Sequence, residues 1–128
     1  MQTKEENTIA KAARQLEAAL LHYDRAKRES RELAYLTVAK AFEVLVEYAW
    51  KELKHRVQEE GLDAPSPKEA VRQAYRIGLI DQPKKWIACI DARNDSVHNY
   101  FNVPDKDYVR FAREFSRLSQ SVAGKAKD

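Results

Sequence analysis

Apolar side chains recur at three- and four-residue spacing through most of the chain, and that period predicts helices. The first set, Ile9, Ala12, Ala13, Leu16, Ala19, Leu20, Tyr23 and Ala26, predicts a helix over residues 5–29 with one buried face. Ser30, followed by Arg31-Glu32-Leu33, can cap a second helix, although nothing in Lys27-Arg28-Glu29 forces the first to stop. The second helix is expected from about Arg31 to Glu60, with Tyr35, Val38, Ala39, Phe42, Leu45, Val46, Ala49, Leu53 and Val57 on its main stripe and Gly61 ending it. Between Phe42 and Trp50 it is apolar almost all round, so it should be the central, most buried helix.

Ser66-Pro67-Lys68-Glu69 reads as a capping box with proline at the first helical position, and Gly78 stands where a left-handed terminating residue belongs. A short third helix is expected at about 67–77. Asp81-Gln82-Pro83 restarts the chain into a fourth, whose Trp86, Ile90, Val97 and Phe101 share a stripe before Pro104 closes it. Asp105 can cap the fifth, with Tyr108, Phe111, Phe115, Leu118 and Val122 inward and a fraying tail from Gly124 to Asp128. No segment shows the period of a strand. The expectation is an all-α fold, an antiparallel up-and-down bundle of four main helices plus one short helix, in a single domain over residues 1–128 with its core at about 9–122.

Composition narrows the chemistry more than the fold. A length of 128 residues leaves room for one domain. One cysteine, Cys89, cannot close an intrachain disulfide, and with three scattered histidines it cannot supply a zinc framework. Neither a metal nor an organic cofactor is expected. No window approaches a membrane span and residues 1–7 lack the apolar core of a signal peptide, so a cytoplasmic protein without membrane contact is expected. The net charge of +3 indicates nucleic-acid binding only if the cations cluster.

Glycine-rich phosphate loops, nucleophile elbows and His-Glu-x-x-His motifs are missing from the sequence. The polar run Asp91-Ala-Arg93-Asn94-Asp95-Ser96-Val97-His98-Asn99-Tyr100 is the exception. It sets a permanent cation, a group titrating near neutrality and a phenol within one helix end. At 3.6 residues per turn Tyr100 lies almost above Arg93, while His98 is about 140° away and shares a face with Asn94. Either the helix bends near residues 94–96 or another element completes the site, and a second subunit is the natural candidate. RNA carries its own nucleophile, so cleaving it needs proton transfer and positive charge on the phosphorane, which His98 and Arg93 could supply. On spacing alone the simpler reading is that the two residues complement the dipole at a helix C-terminus.

Arg93-x4-His98-x-Tyr100 resembles the Arg-x4–6-His motif of the HEPN superfamily, small helical proteins often encoded beside a minimal nucleotidyltransferase. Phe42-Glu43, Glu47, Ala49-Trp50-Lys51, Lys54, Ser66-Pro67, Ala74, Gly78-Leu79-Ile80, Trp86 and Arg93-Asn94 occur in the order and spacing of its nucleotidyltransferase substrate-binding branch. Between Arg-Asn and His this chain has Ser96-Val97, and Asn99 after it, where that branch more often carries Thr-Ser and Thr. The resemblance implies a HEPN-like bundle that forms a homodimer with the motif lining the cleft between subunits. It also implies two roles: a toxin-type, metal-independent endoribonuclease silenced when the nucleotidyltransferase adenylylates the motif tyrosine, Tyr100 here, or a non-catalytic subunit presenting a nucleotide or other substrate.

Three further features bear on either role. Glu43 and Glu47 stand one turn apart in the most apolar part of helix 2 and need cations. Lys40 and Lys51 are the local answer; the alternative is that one glutamate orients Arg93 or His98 across the bundle. Lys106, Arg110, Arg113 and Arg117 form a basic stripe on helix 5 that could follow an RNA backbone, meet the nucleotidyltransferase, or simply face solvent. Cys89, Trp50 and Trp86 read as core, the two tryptophans bringing helices 2 and 4 together.

Overall fold

The computed structural model describes residues 7–98 and 105–123, without the side chains of residues 96–98. The chain forms α1 (Thr8–Arg25), a 3-10 turn (Arg28–Ser30), α2 (Arg31–Glu59), α3 (Pro67–Arg76), α4 (Pro83–His98), α5 (Asp105–Leu118) and the single turn α6 (Gln120–Ala123). The fold is an all-helical bundle in which α1, α2, α4 and α5 are the long members and α3 is the short one. The expected fourth-helix residues 99–104, including Phe101 and Pro104, and the tail from Gly124 lie outside the described residues.

Local chemistry explains most boundaries. Asn7 Oδ1 accepts hydrogen bonds from the amides of Ile9 (2.8 Å) and Ala10 (3.2 Å), so α1 begins at Thr8 rather than at residue 5. It also ends four residues earlier than its apolar period suggested. Ala26 and Lys27 turn extended, and the Arg31 guanidinium packs over the Tyr23 ring, 4.9 Å from its centroid, while donating to the Ala26 carbonyl at 3.4 Å. The corner is closed by Arg31, and Ser30 makes no side-chain capping bond. At α3, Ser66 Oγ accepts from the Glu69 amide at 3.2 Å, but the Glu69 carboxylate accepts from Arg72 and Gln73 instead of completing the box. Asp105 is the first residue of α5 rather than its cap, a one-residue difference that still sets Asp105 and Asp107 at the positive end of the helix dipole.

Gly61 and Gly78 end α2 and α3 with φ of 84° and 79°. After Gly78 the Leu79 amide reaches back to the Ala74 carbonyl at 2.9 Å, and the Gly78 amide reaches Tyr75 at 3.0 Å, which is the six-to-one and five-to-two pattern of a Schellman ending. A Cβ at Gly78 would meet nothing within 4 Å, so alanine there is opposed only by the left-handed backbone. Gly78→Ala should therefore destabilise by about 1–2 kcal/mol, read as a lower urea midpoint. A midpoint at or above wild type would contradict the Schellman assignment.

Burial is centred on α2, whose Val38, Phe42, Leu45, Val46, Leu53 and Val57 are essentially inaccessible. Edge-on aromatic contacts cross the bundle: Tyr35 to Tyr108 (6.1 Å), Tyr108 to Phe42 (5.2 Å), Phe42 to Phe115 (5.9 Å) and Phe115 to Trp86 (5.1 Å). Trp86 thus docks α4 onto α5, whereas Trp50, expected as its partner between helices 2 and 4, is only partly buried. Ion pairs tie the helices at the surface: Arg113 of α5 to Asp24 of α1, Lys85 of α4 to Glu114 of α5 (3.6 Å), and Lys68 of α3 to Asp91 of α4 (2.7 Å).

Candidate functional site

The polar run of α4 meets α2 through Arg93. Its Nη2 donates to Glu47 Oε1 at 3.4 Å, and its Nη1 donates to Asn94 Oδ1 at 3.3 Å. The Arg93 side chain keeps 29% of its accessible surface, so the guanidinium is fastened and only partly covered. Glu47 is the anchor. It accepts Lys51 Nζ at 3.0 Å from the next turn of α2 as well as Arg93 from α4. The hydrogen bond from Lys51 holds the Glu47 carboxyl below the usual range, burial partly opposes this, and the Trp50 indole and the Arg93 charge add to the lowering. A depressed folded value means that the anchor is fully present above the ordinary carboxylate range and weakens as pH falls through the folded value.

Both answers weighed for the glutamate pair are realised at one residue, since Glu47 takes its local lysine and Arg93 together. Glu43 is half-buried, and no ion pair among the described residues includes it. Asn94 stands beside Arg93, while the side chains of Ser96 and His98, and the whole of Tyr100, fall outside the described residues. The backbone of α4 is uninterrupted helix from Pro83 to His98, so no break occurs at residues 94–96. On that helix His98 remains about 140° from Arg93.

The four basic residues on α5 differ in how their charge is held. Arg113 makes a two-toothed pair with Asp24, one arm at 3.0 Å, and their mutual bond and charge hold the Asp24 carboxyl below its usual range. Arg110 leans toward Asp107 (3.6 Å) and the Phe111 ring, Lys106 is exposed, and Arg117 lines a cleft of about 400 Å³ with Lys85, Asp81 and Glu114. In that cleft two cations face two carboxylates. Cys89 is buried, its Sγ 3.7 Å from the Phe111 carbonyl, and burial pushes the thiol up to about 12, with Glu114 assisting. Such a thiol is no nucleophile. No cluster of three metal-ligating side chains forms among the described residues, and no helix among them is long and apolar enough to cross a membrane.

Lys54 belongs to the family pattern in helix 2, and its place on Trp50 gives it a role that the pattern alone did not assign. Lys54 Nζ lies over the Trp50 ring, 5.8 Å from its centroid, a contact whose only sequence signal is the four-residue spacing of the two side chains.

A family described as "Nucleotidyltransferase substrate binding protein like" matches the chain over residues 5–125, including every helix and Arg93, His98 and Tyr100. The chain belongs to this nucleotidyltransferase substrate-binding family. It is similar to a Haemophilus influenzae protein named "Probable ribonuclease HepT", 34% identical over 64 residues, which amounts to 46% of this chain and 44% of that protein. The match thus spans less than half the length of that relative. A solved structure, also from Haemophilus influenzae and described as the fold of a substrate-binding domain of a nucleotidyltransferase, superposes with a TM-score of 0.82 at 22% identity, covering 97% of this chain and 100% of that one. The second likeness shows that this family member shares that helical fold.

Proposed function

We propose that this chain is a metal-independent endoribonuclease of the HEPN type, in which Arg93 holds the phosphate and His98 moves the protons. The observation that carries the reading is Arg93 itself, clamped by Glu47 from another helix and by Asn94, yet left partly open. The relative named as a ribonuclease supports the same reading.

The chemistry requires few groups. A base removes the proton of the 2′-hydroxyl, whose oxygen attacks the adjacent phosphorus; the 5′-oxygen leaves with a proton from an acid, giving a 2′,3′-cyclic phosphate and a 5′-hydroxyl. Arg93 offsets the added charge on the phosphorane oxygens. Five positions on an unbroken helix correspond to about 140° around its axis, so positions 93 and 98 of one copy do not share a face and the site is completed across a homodimer. The outer face of α2 supports that assembly. Leu33 and Leu36 are exposed at 70% and 39%, an apolar groove of about 460 Å³ runs beside Lys40 and Val44, and Lys40 lies one turn before Glu43 and two before Glu47. An antiparallel partner would lay each Lys40 near the other copy's glutamates. The family name supports a minimal nucleotidyltransferase as partner in the cell, with Tyr100 as the residue it modifies.

The second reading is a non-catalytic subunit that uses the same cation to present a nucleotide. The family description and the structural neighbour, a substrate-binding domain, favour it. Incubating purified protein with single-stranded RNA in excess chelator separates the two. The ribonuclease reading expects cleavage by wild type and intact RNA with His98→Ala; equal cleavage by both would assign the activity to a contaminant, and binding without cleavage would favour the second reading.

A further inference from the structure

We propose that Lys54, held over Trp50, is a second phosphate-binding cation of the site and takes the phosphate of a neighbouring nucleotide in single-stranded RNA. The inference rests on the ribonuclease reading for its substrate class. Its basis is the way the charge is held. Lys51, Lys68 and Lys85 each spend their charge on a carboxylate, at 3.0, 2.7 and 3.6 Å. Lys54 has Trp50, Lys51, Val57 and Gln58 at the helix positions that could reach it, with no carboxylate among them. No ion pair among the described residues includes it.

Lys54 is nevertheless half-buried, because its stem lies on α2 and its ammonium sits over the indole. An aromatic face orients a cation through its quadrupole but carries no net charge, so the full positive charge remains to be matched. Glu47, Trp50 and Lys54 follow one another at three- and four-residue spacing along one face of α2, and Glu47 holds Arg93. Lys54, Trp50, Glu47 and Arg93 are therefore linked in one row from α2 to α4. The row has an unmatched lysine at one end and a partly open arginine at the other. A polyanion with regularly spaced charges fits that row better than a mononucleotide with one phosphate cluster.

The test uses a labelled 2′-O-methyl RNA oligonucleotide, which binds but cannot be cut, with affinity measured across a salt series. Lys54→Gln keeps the stem and removes the charge, and Lys54→Arg keeps both charge and ring contact. For Lys54→Gln the slope of log affinity against log salt should become shallower by about 0.7, with roughly tenfold weaker binding at low salt, and Lys54→Arg should match wild type. Unchanged affinity and slope in Lys54→Gln would overturn the assignment while leaving the ribonuclease reading intact. Absence of oligonucleotide binding by wild type would overturn both. A Lys54-dependent slope in a protein that does not cut unmodified RNA would support the phosphate contact and reject only the cleavage.

Discussion

Arg93→Ala is expected to lower RNA cleavage by roughly 10²–10³-fold, and His98→Ala by about 10²–10⁴-fold, with little change in folding. The two losses have different origins. Arg93 stabilises charge that develops on the phosphate, so its removal lowers kcat, while His98 supplies the proton transfers themselves. Stability is spared at Arg93 because both partners of its ion pair keep roughly a third of their surface, 29% for Arg93 and 38% for Glu47; pairs this open contribute about 1 kcal/mol or less. Glu47→Ala should lower kcat without unfolding the protein, and Glu47→Gln should recover part of the loss, since its amide oxygen still accepts the guanidinium. Single-turnover rates and melting curves on the same preparations make the check. Normal cleavage by Arg93→Ala, or a loss of rate that merely follows a loss of fold, would remove Arg93 from the site.

The largest stability effect is expected at Phe115. This ring is inaccessible and meets Phe42 of α2 and Trp86 of α4, so it joins three helices at one point. Truncation to alanine removes the side chain from the centre of the bundle, where collapse of the neighbours is limited by two other large rings. Phe115→Ala should cost about 3–5 kcal/mol, a large share of the roughly 5–15 kcal/mol available to a domain. Urea unfolding should show a lower midpoint with an unchanged slope. A loss below about 1 kcal/mol would mean that the aromatic row is not the centre of the core.

Much of this arrangement could be read along the chain because its determinants are local. Ser66-Pro67 and Gly78 announce the ends of α3 by their own conformational preferences, and the apolar period of α2 marks it as central. The corner at residues 26–30 could not be read the same way. It has no glycine or proline, and α1 stops there because Arg31 closes over Tyr23 and the Ala26 carbonyl once the hairpin has formed. The bond from Arg113 to Asp24 spans 89 positions, so local spacing on helix 5 could not show that α1 matches one of its four cations. Glu47 was a middle case: its spacing showed that it needed a cation, and the choice between Lys51 and Arg93 resolved into both. Trp50 shows the opposite limit, since its apolar character suggested core, whereas its place at the edge lets it hold a lysine.

The ends left in a cleaved RNA report most directly on the chemistry of Arg93 and His98. Wild-type protein would be incubated with a defined single-stranded RNA in excess chelator and the fragments weighed by mass spectrometry. Attack by the 2′-hydroxyl through Arg93 and His98 predicts 2′,3′-cyclic phosphate and 5′-hydroxyl termini; intact RNA, cleavage abolished by the chelator, or 3′-hydroxyl and 5′-phosphate termini would contradict it.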